Sequence, residues 1–215
     1  MGRTPTDYIG ESNRYISDEY DGWIDLFGWG KTTLKDPDNR KYDYFSDWTY
    51  NISNGSGRNW RSLERGEYYH ILFERETNSG IRFAKAQVNG VNGVILLPDN
   101  WVKSTYSIIN ANVEDANCAS NIISSDVWNN TFEANGAVFL PTAGRREYYF
   151  STPGSKEQES VNNYQSGNGF YWVYPFRRDS QYPDYLYFSN TIIEIKDTSN
   201  RRTGMSVRLV CPVDK

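Results

Sequence analysis

Residues 81–100 read IRFAKAQVNGVNGVILLPDN. Ile81 to Val88 alternates apolar and polar side chains, the pattern of a strand with one covered face. Asn89-Gly90-Val91-Asn92-Gly93 follows as a turn signal, because Asn and Gly accept the positive φ that hairpin turns require. Val94-Ile95-Leu96-Leu97 is a continuous apolar run and reads as a buried strand, stopped by Pro98-Asp99-Asn100. The stretch predicts an antiparallel hairpin.

The flanks supply helices. Glu64 to Glu76 places Tyr68, Ile71 and Leu72 on one face at helical spacing. Glu64 and Glu67 sit in its first turn and Arg75 in its last, as the helix dipole favours, and Asn78-Ser79-Gly80 ends it. A second helix is expected over Ser125 to Ala134, with Ser125 as N-cap and Trp128 and Phe132 one turn apart. Gly136-Ala137-Val138-Phe139-Leu140-Pro141 reads as another buried strand and echoes Gly93 to Pro98. One echo does not make a repeat architecture.

Further out the pattern thins. Gly22-Trp23-Ile24-Asp25-Leu26-Phe27-Gly28-Trp29-Gly30 is an apolar knot between glycine turns, suited to a short strand, and Lys31 to Arg58 reads as irregular loop. After Gly144 the chain reads as loop until Phe170-Tyr171-Trp172. Tyr185–Phe188 and Ile192–Ile195 read as paired strands, and Met205–Val210 as the closing strand. The expected class is α+β, in a single domain over residues 1–215.

The chain has 215 residues, enough for one domain with a substantial core. Hydrophobic content is 38% and mean hydropathy −0.74, so the 7 Trp and 17 Tyr must supply much of that core. The net charge is −4 and the isoelectric point about 5.1. With no basic stripe, nucleic acid is not an expected partner. No run of 18 apolar residues is present, so membrane insertion is not expected either. Met1-Gly2-Arg3-Thr4-Pro5 lacks the apolar region of a signal segment. Cys118 and Cys211 allow one disulfide or two separate thiols.

The region from about 167 to 210 carries the functional signal. A frame of Gly169, Tyr171, Trp172, Leu186, Phe188, Gly204, Val207, Leu209 and Val210 alternates with a mixed filling. The expected ligand-binding residues are Val173, Tyr174, Phe176, Arg177, Asp179, Ser180, Tyr182, Asp184, Tyr185, Tyr187, Ser189 and Asn190. Tyr offers contact area at little entropic cost, Arg a planar fork, and Ser and Asn adaptable hydrogen bonds. Within Tyr185-Leu186-Tyr187-Phe188, successive side chains point to opposite faces. If Leu186 and Phe188 face the core, Tyr185 and Tyr187 face out. A slip of one residue reverses this, and burial preference favours the first register.

Catalysis is not expected. The one histidine, His70, lies in Tyr68-Tyr69-His70 without partners at triad or metal spacing, and reads as structural. Glu114-Asp115 reads as a solvated pair. Pro98-Asp99-Asn100 reads as a turn rather than a calcium site, and no metal or other cofactor is expected.

In order along the chain, the knot at 22–30, Trp60-Arg61-Ser62-Leu63, the series Val88 to Trp101, Gly136 to Pro141, and Ser206-Val207-Arg208-Leu209-Val210 resemble a family of surface proteins from gut Bacteroidales with a C-type-lectin-like fold. That fold is shared with formylglycine-generating-enzyme-like proteins and with the variable proteins of diversity-generating retroelements. The oxidase hosted by this fold uses closely placed cysteines, a local motif that Cys118 and Cys211 do not form. Two departures stand out: members carry more chain before this start, and their Gly-Tyr-Trp-Ser-Ser reads here Gly169-Phe170-Tyr171-Trp172-Val173-Tyr174.

The resemblance implies a scaffold displaying a diversifiable surface toward a protein or glycan ligand on another cell or particle. It implies an extracellular site, on a cell surface or a phage particle. In retroelement-diversified relatives, adenine mutation of asparagine codons yields Tyr, Ser, Asp, Phe, Ile, Thr and Arg, but never Lys, Glu, Gln, Met or Trp. Much of 173–202 fits, whereas Gln181, Glu194 and Lys196 do not. The alternative is a fixed adhesin, or a structural subunit of a surface fibre or pilus.

Overall fold

The computed structural model describes residues 27–29, 45–47, 60–149, 158–162, 167–174, 184–197 and 205–211. In chain order the strands are β1 Phe27–Trp29, β2 Phe45–Asp47, β3 Arg61–Ser62, β4 Phe83–Val88, β5 Val91–Leu96, β6 Ile122–Ile123 and β7 Val138–Pro141. They continue with β8 Arg145–Tyr149, β9 Gln158–Asn162, β10 Gly169–Trp172, β11 Tyr185–Phe188, β12 Ile193–Lys196 and β13 Leu209–Val210. Helix α1 spans Arg65–Tyr69 and runs on as a π-helical turn, His70–Glu74. Helix α2 spans Ser125–Val127 and continues through a π turn, Trp128–Phe132, and a 3₁₀ turn, Glu133–Asn135. The described residues form an α+β fold, two helices with several mainly antiparallel sheets.

The expected hairpin is β4–β5, with Val88 opposite Val91 and Phe83 opposite Leu96. Its turn is Asn89-Gly90 alone. Their φ values of 48° and 80° are both positive, as a type I′ turn requires. Val91, Asn92 and Gly93, expected in the turn, instead begin β5. Asn92 pairs with Gln87 and Gly93 with Ala86, because two residues already close the turn. The echo of β5 in β7 is spatial: the two are antiparallel neighbours, Val94 opposite Leu140, in a sheet ordered β6-β4-β5-β7.

The predicted one-sided alternation of β4 is not what folds. Phe83, Ala84, Lys85, Ala86 and Val88 are all buried, since both faces of this sheet are covered. Phe83, Val94 and Leu140 join Tyr68 and Leu72 of α1 in one core. Ala86, Val88 and Ile95 join Trp101 and Phe132 in a second. The side of β4 away from β5 pairs with β6 at Gln87 and Val88, and asparagine side chains meet the backbone ahead of that. Arg82 N–H donates to Asn112 Oδ1 at 2.8 Å, and Asn121 Nδ2 donates to Lys85 O at 2.9 Å.

Helix α1 starts where its acidic turn predicts. The Glu64 backbone N–H donates to Glu67 Oε2 at 2.9 Å, and Glu67 also pairs with Arg61. Arg75 closes the other end, its Nε donating to Ile71 O at 2.9 Å and its Nη1 to Asp99 at 2.7 Å. In α2 the N-cap is Ser124, one residue before the expected Ser125, and its Oγ accepts from Val127 N–H at 3.3 Å. The rings of Trp128 and Phe132 stack with centroids 5.8 Å apart. Gly136, with φ of 86°, ends the helix in the left-handed conformation.

Three expected loops or strands differ. Phe45–Asp47 lies inside the expected loop 31–58 and pairs with Phe27–Trp29. β8 and β9 pair with each other where loop was expected. Their ladder joins backbones, and RREYY and QESVN carry no apolar alternation to announce it. The closing strand shrinks from Met205–Val210 to Leu209–Val210, paired with β3, while Ser206 alone bridges Tyr171.

Candidate functional site

β10, β11 and β12 form a three-stranded antiparallel sheet that bases the expected recognition region. Its register sets Tyr171, Leu186 and Ile195 side by side, and likewise Trp172, Tyr185 and Lys196. Alternation sends Tyr171, Leu186, Phe188 and Ile193 into the core shared with α1. Gly169 stands opposite Phe188, and a Cβ there would lie 2.0 Å from the Phe188 ring, so only glycine lets that ring cross the strand.

The favoured register is the one observed, with Leu186 and Phe188 inward and Tyr185 and Tyr187 on the opposite face. The inferred exposure of Tyr185 does not hold: it is only 5% exposed. The opposite face has its own cover, in which Phe170, Trp172 and Tyr185 pack with Tyr187, Met205 and Val207. Ser206 holds that cover in place, accepting from Trp172 N–H at 2.9 Å and donating to Phe170 O at 3.0 Å. The Arg145 guanidinium lies over the Phe170 ring, 4.5 Å from its centroid. Val173, also expected to contact ligand, is fully buried beside Leu63 and Tyr171. Both residues belong to the frame.

The remaining described residues fall at two ends of the sheet. At one end stand Tyr174 and Asp184, where β10 leaves and β11 enters. Val173 N–H donates to Asp184 O at 3.2 Å, and Tyr174 N–H to Leu63 O at 2.7 Å. Asp184 Oδ2 lies 3.3 Å from Arg65 Nη1. At the other end Ser189 and Asn190 make the turn into β12. Ser189 N–H donates to Ile192 O at 3.0 Å, Thr191 N–H to Ser189 Oγ at 3.2 Å, and Asn190 is exposed. Tyr187 is half-buried between them. Its hydroxyl donates to Asn168 Oδ1 at 2.9 Å, and Lys196 Nζ, paired with Glu194, sits 4.6 Å from its ring centroid. These described residues therefore lie at opposite ends of β11, with Tyr187 between them. Phe176, Arg177, Asp179, Ser180 and Tyr182 lie outside the described residues.

Sequence reasoning missed Arg65, Asn168 and Lys196. Asn168 and Lys196 flank strands that were recognised. Arg65 lies far away in sequence, and no local signal connects it to Asp184.

Several titratable groups elsewhere are engaged in packing. Lys85 is fully buried, its ammonium donating to Glu114 O, and desolvation lowers its pKa. Burial raises the Cys118 thiol, whose Sγ lies 3.7 Å from Gly93 O. Cys118 and Cys211 are not joined in a disulfide. Burial also raises the phenols of Tyr68 and Tyr171, and the Tyr171 hydroxyl donates to Pro141 O at 2.9 Å. His70 is exposed at the start of the π turn that follows α1, its Nδ1 3.8 Å from Glu74 Oε2. Pro98-Asp99-Asn100 is a turn, with Trp101 N–H donating to Pro98 O at 3.1 Å and Asp99 engaged by Arg75.

Among the described residues, no three His, Cys, Asp or Glu side chains are grouped to hold a metal ion. No helix among them is long and apolar enough to cross a membrane. No family model, curated protein or solved structure matches the chain.

Proposed function

We propose that the protein binds ligand, displaying a diversifiable recognition surface on a C-type-lectin-like scaffold. The ligand is a protein or glycan on another cell or particle, and the site of action is extracellular. One observation supports this reading: a sheet with both faces covered carries Tyr174 and Asp184, the residues that flank segment 175–183 in sequence. The bases are Trp172 opposite Tyr185, then Val173 against Asp184. The segment between them reads Pro175-Phe176-Arg177-Arg178-Asp179-Ser180-Gln181-Tyr182-Pro183, the residue mixture of a recognition loop. Rigid strands with variable contacts between them are what tunable binding needs, because an ordered base lowers the entropy lost on association.

Deep sequencing of codons 167–210 from the source population tests the reading. Expected are substitutions at adenines of asparagine-type codons within 174–191, with the codons of Trp172, Val173, Tyr185, Leu186 and Phe188 constant. An invariant region would overturn the diversified reading in favour of a fixed adhesin or a fibre subunit.

A further inference from the structure

We propose that Arg65 is a positioning residue that fixes the base of the recognition loop, an assignment that rests on the reading above. Tyr174 and Asp184, which flank segment 175–183 in sequence, meet three consecutive residues of another part of the chain, Leu63, Glu64 and Arg65. Tyr174 N–H donates to Leu63 O at 2.7 Å, and Glu64 bridges Tyr174 in parallel register. Arg65 Nη1 lies 3.3 Å from Asp184 Oδ2. Tyr174 precedes the loop and Asp184 follows it, so residues 63–65 clasp both sides of its base.

The clasp has a firm anchor. Leu63 is buried, and one turn into α1 Tyr68 and Leu72 are wholly buried in the core shared with β11. Arg61 pairs with Glu67 across the first turn, which leaves Arg65 directed at Asp184. A short turn such as Asn89-Gly90 sets the geometry of its own strands. A long connection does not, and its exit direction depends on what holds its ends. The Asp184 side chain is 20% exposed against 47% for Arg65, so the carboxylate is the more enclosed partner of the pair.

Amide hydrogen exchange by NMR on the free protein tests the assignment. Arg65→Gln and Asp184→Asn should each speed exchange of the Val173 and Tyr174 amides about two- to fivefold. The amides of β4 and β5 should keep their rates. Pairing Arg65→Asp with Asp184→Arg should restore protection at Val173 and Tyr174, since the charge pair is re-formed in reverse. Unchanged exchange in both single variants would overturn the assignment. So would faster exchange shared by β4 and β5, which would mean general destabilisation, or a double variant no better than the singles. No ligand enters this experiment, so its failure leaves the binding reading standing. Invariant codons together with faster exchange would overturn the diversified reading and leave the clasp.

Discussion

Two hairpins in this molecule close in opposite ways. β4–β5 closes on Asn89-Gly90, a pair whose positive φ values are an intrinsic preference of those residues. β10–β11 closes through residues 173–184, and its base is held by Leu63 and Arg65 from the start of α1. The first hairpin is specified within its own residues. The second depends on a segment more than a hundred positions earlier. A hairpin that does not spend its connection on closing itself leaves that connection open to change in sequence, which is the property a display loop needs.

The largest effects should come from the base of the second hairpin. Trp172→Ala should destabilise by about 3–5 kcal/mol, measured by urea denaturation, because a fully enclosed ring is removed. Tyr185→Ala should cost about 3 kcal/mol for the same reason. A cost under about 1 kcal/mol at Tyr185 would break the comparison, returning that ring to the ligand-facing surface.

Glycine contacts test whether the two frames are equally tight. A Cβ on Gly93 would meet Leu140 O and the Phe139 ring at 2.4 Å, and one on Gly169 would meet Phe188 at 2.0 Å. Gly93→Ala and Gly169→Ala should each lower the unfolding free energy by about 2–3 kcal/mol. A much milder result at Gly169 alone would make the display frame the looser of the two.

The turns should respond less. Gly90 has open space around it, so Gly90→Ala meets only the strain of its φ of 80°, about 1 kcal/mol in thermal melts. Asn190→Ala, in the exposed turn after β11, should stay within about 0.5 kcal/mol.

The smallest effect concerns the anchor of the clasp. The Arg61 guanidinium holds the Glu67 carboxyl below its ordinary value of 4.5, with the Glu64 N–H adding to this against the opposing effect of burial. A depressed carboxylate adds stability above its unfolded pKa and loses it as pH falls through the folded value. The stability gap between the wild type and Glu67→Gln should therefore be constant near neutral pH and shrink below about pH 4.5. A gap that widens in acid would remove Glu67 from the anchor.

Legibility in the sequence followed the range of the interactions. Helix α1 was readable from Glu64, Glu67, Tyr68 and Leu72, because capping and one-face burial act within a turn or two. The register of β11 was readable from Leu186 and Phe188. The burial of Tyr185 was not, because its cover comes from Phe170, Trp172, Met205 and Val207, and alternation says only which face a residue joins. β8 and β9 escaped notice because backbone pairing leaves no apolar trace in RREYY. Lys85, a charged residue within the stretch read as a strand with one covered face, is enclosed, its ammonium bonded to Glu114 O, a partner 29 positions away that the alternation could not foresee.

By itself the sequence determined the mixed α+β composition, the β4–β5 hairpin, both helices and the parity of β11. Each follows from propensity, capping or turn chemistry over a few neighbouring residues. Tertiary structure alone decided that the β4–β5 and β10–β11 sheets are covered on both faces, that Val173 and Tyr185 are buried, and that Leu63 and Arg65 meet Tyr174 and Asp184. The physical reason is that burial and ion pairing depend on distance in space, and residues 65 and 184 meet only once the core between them has closed.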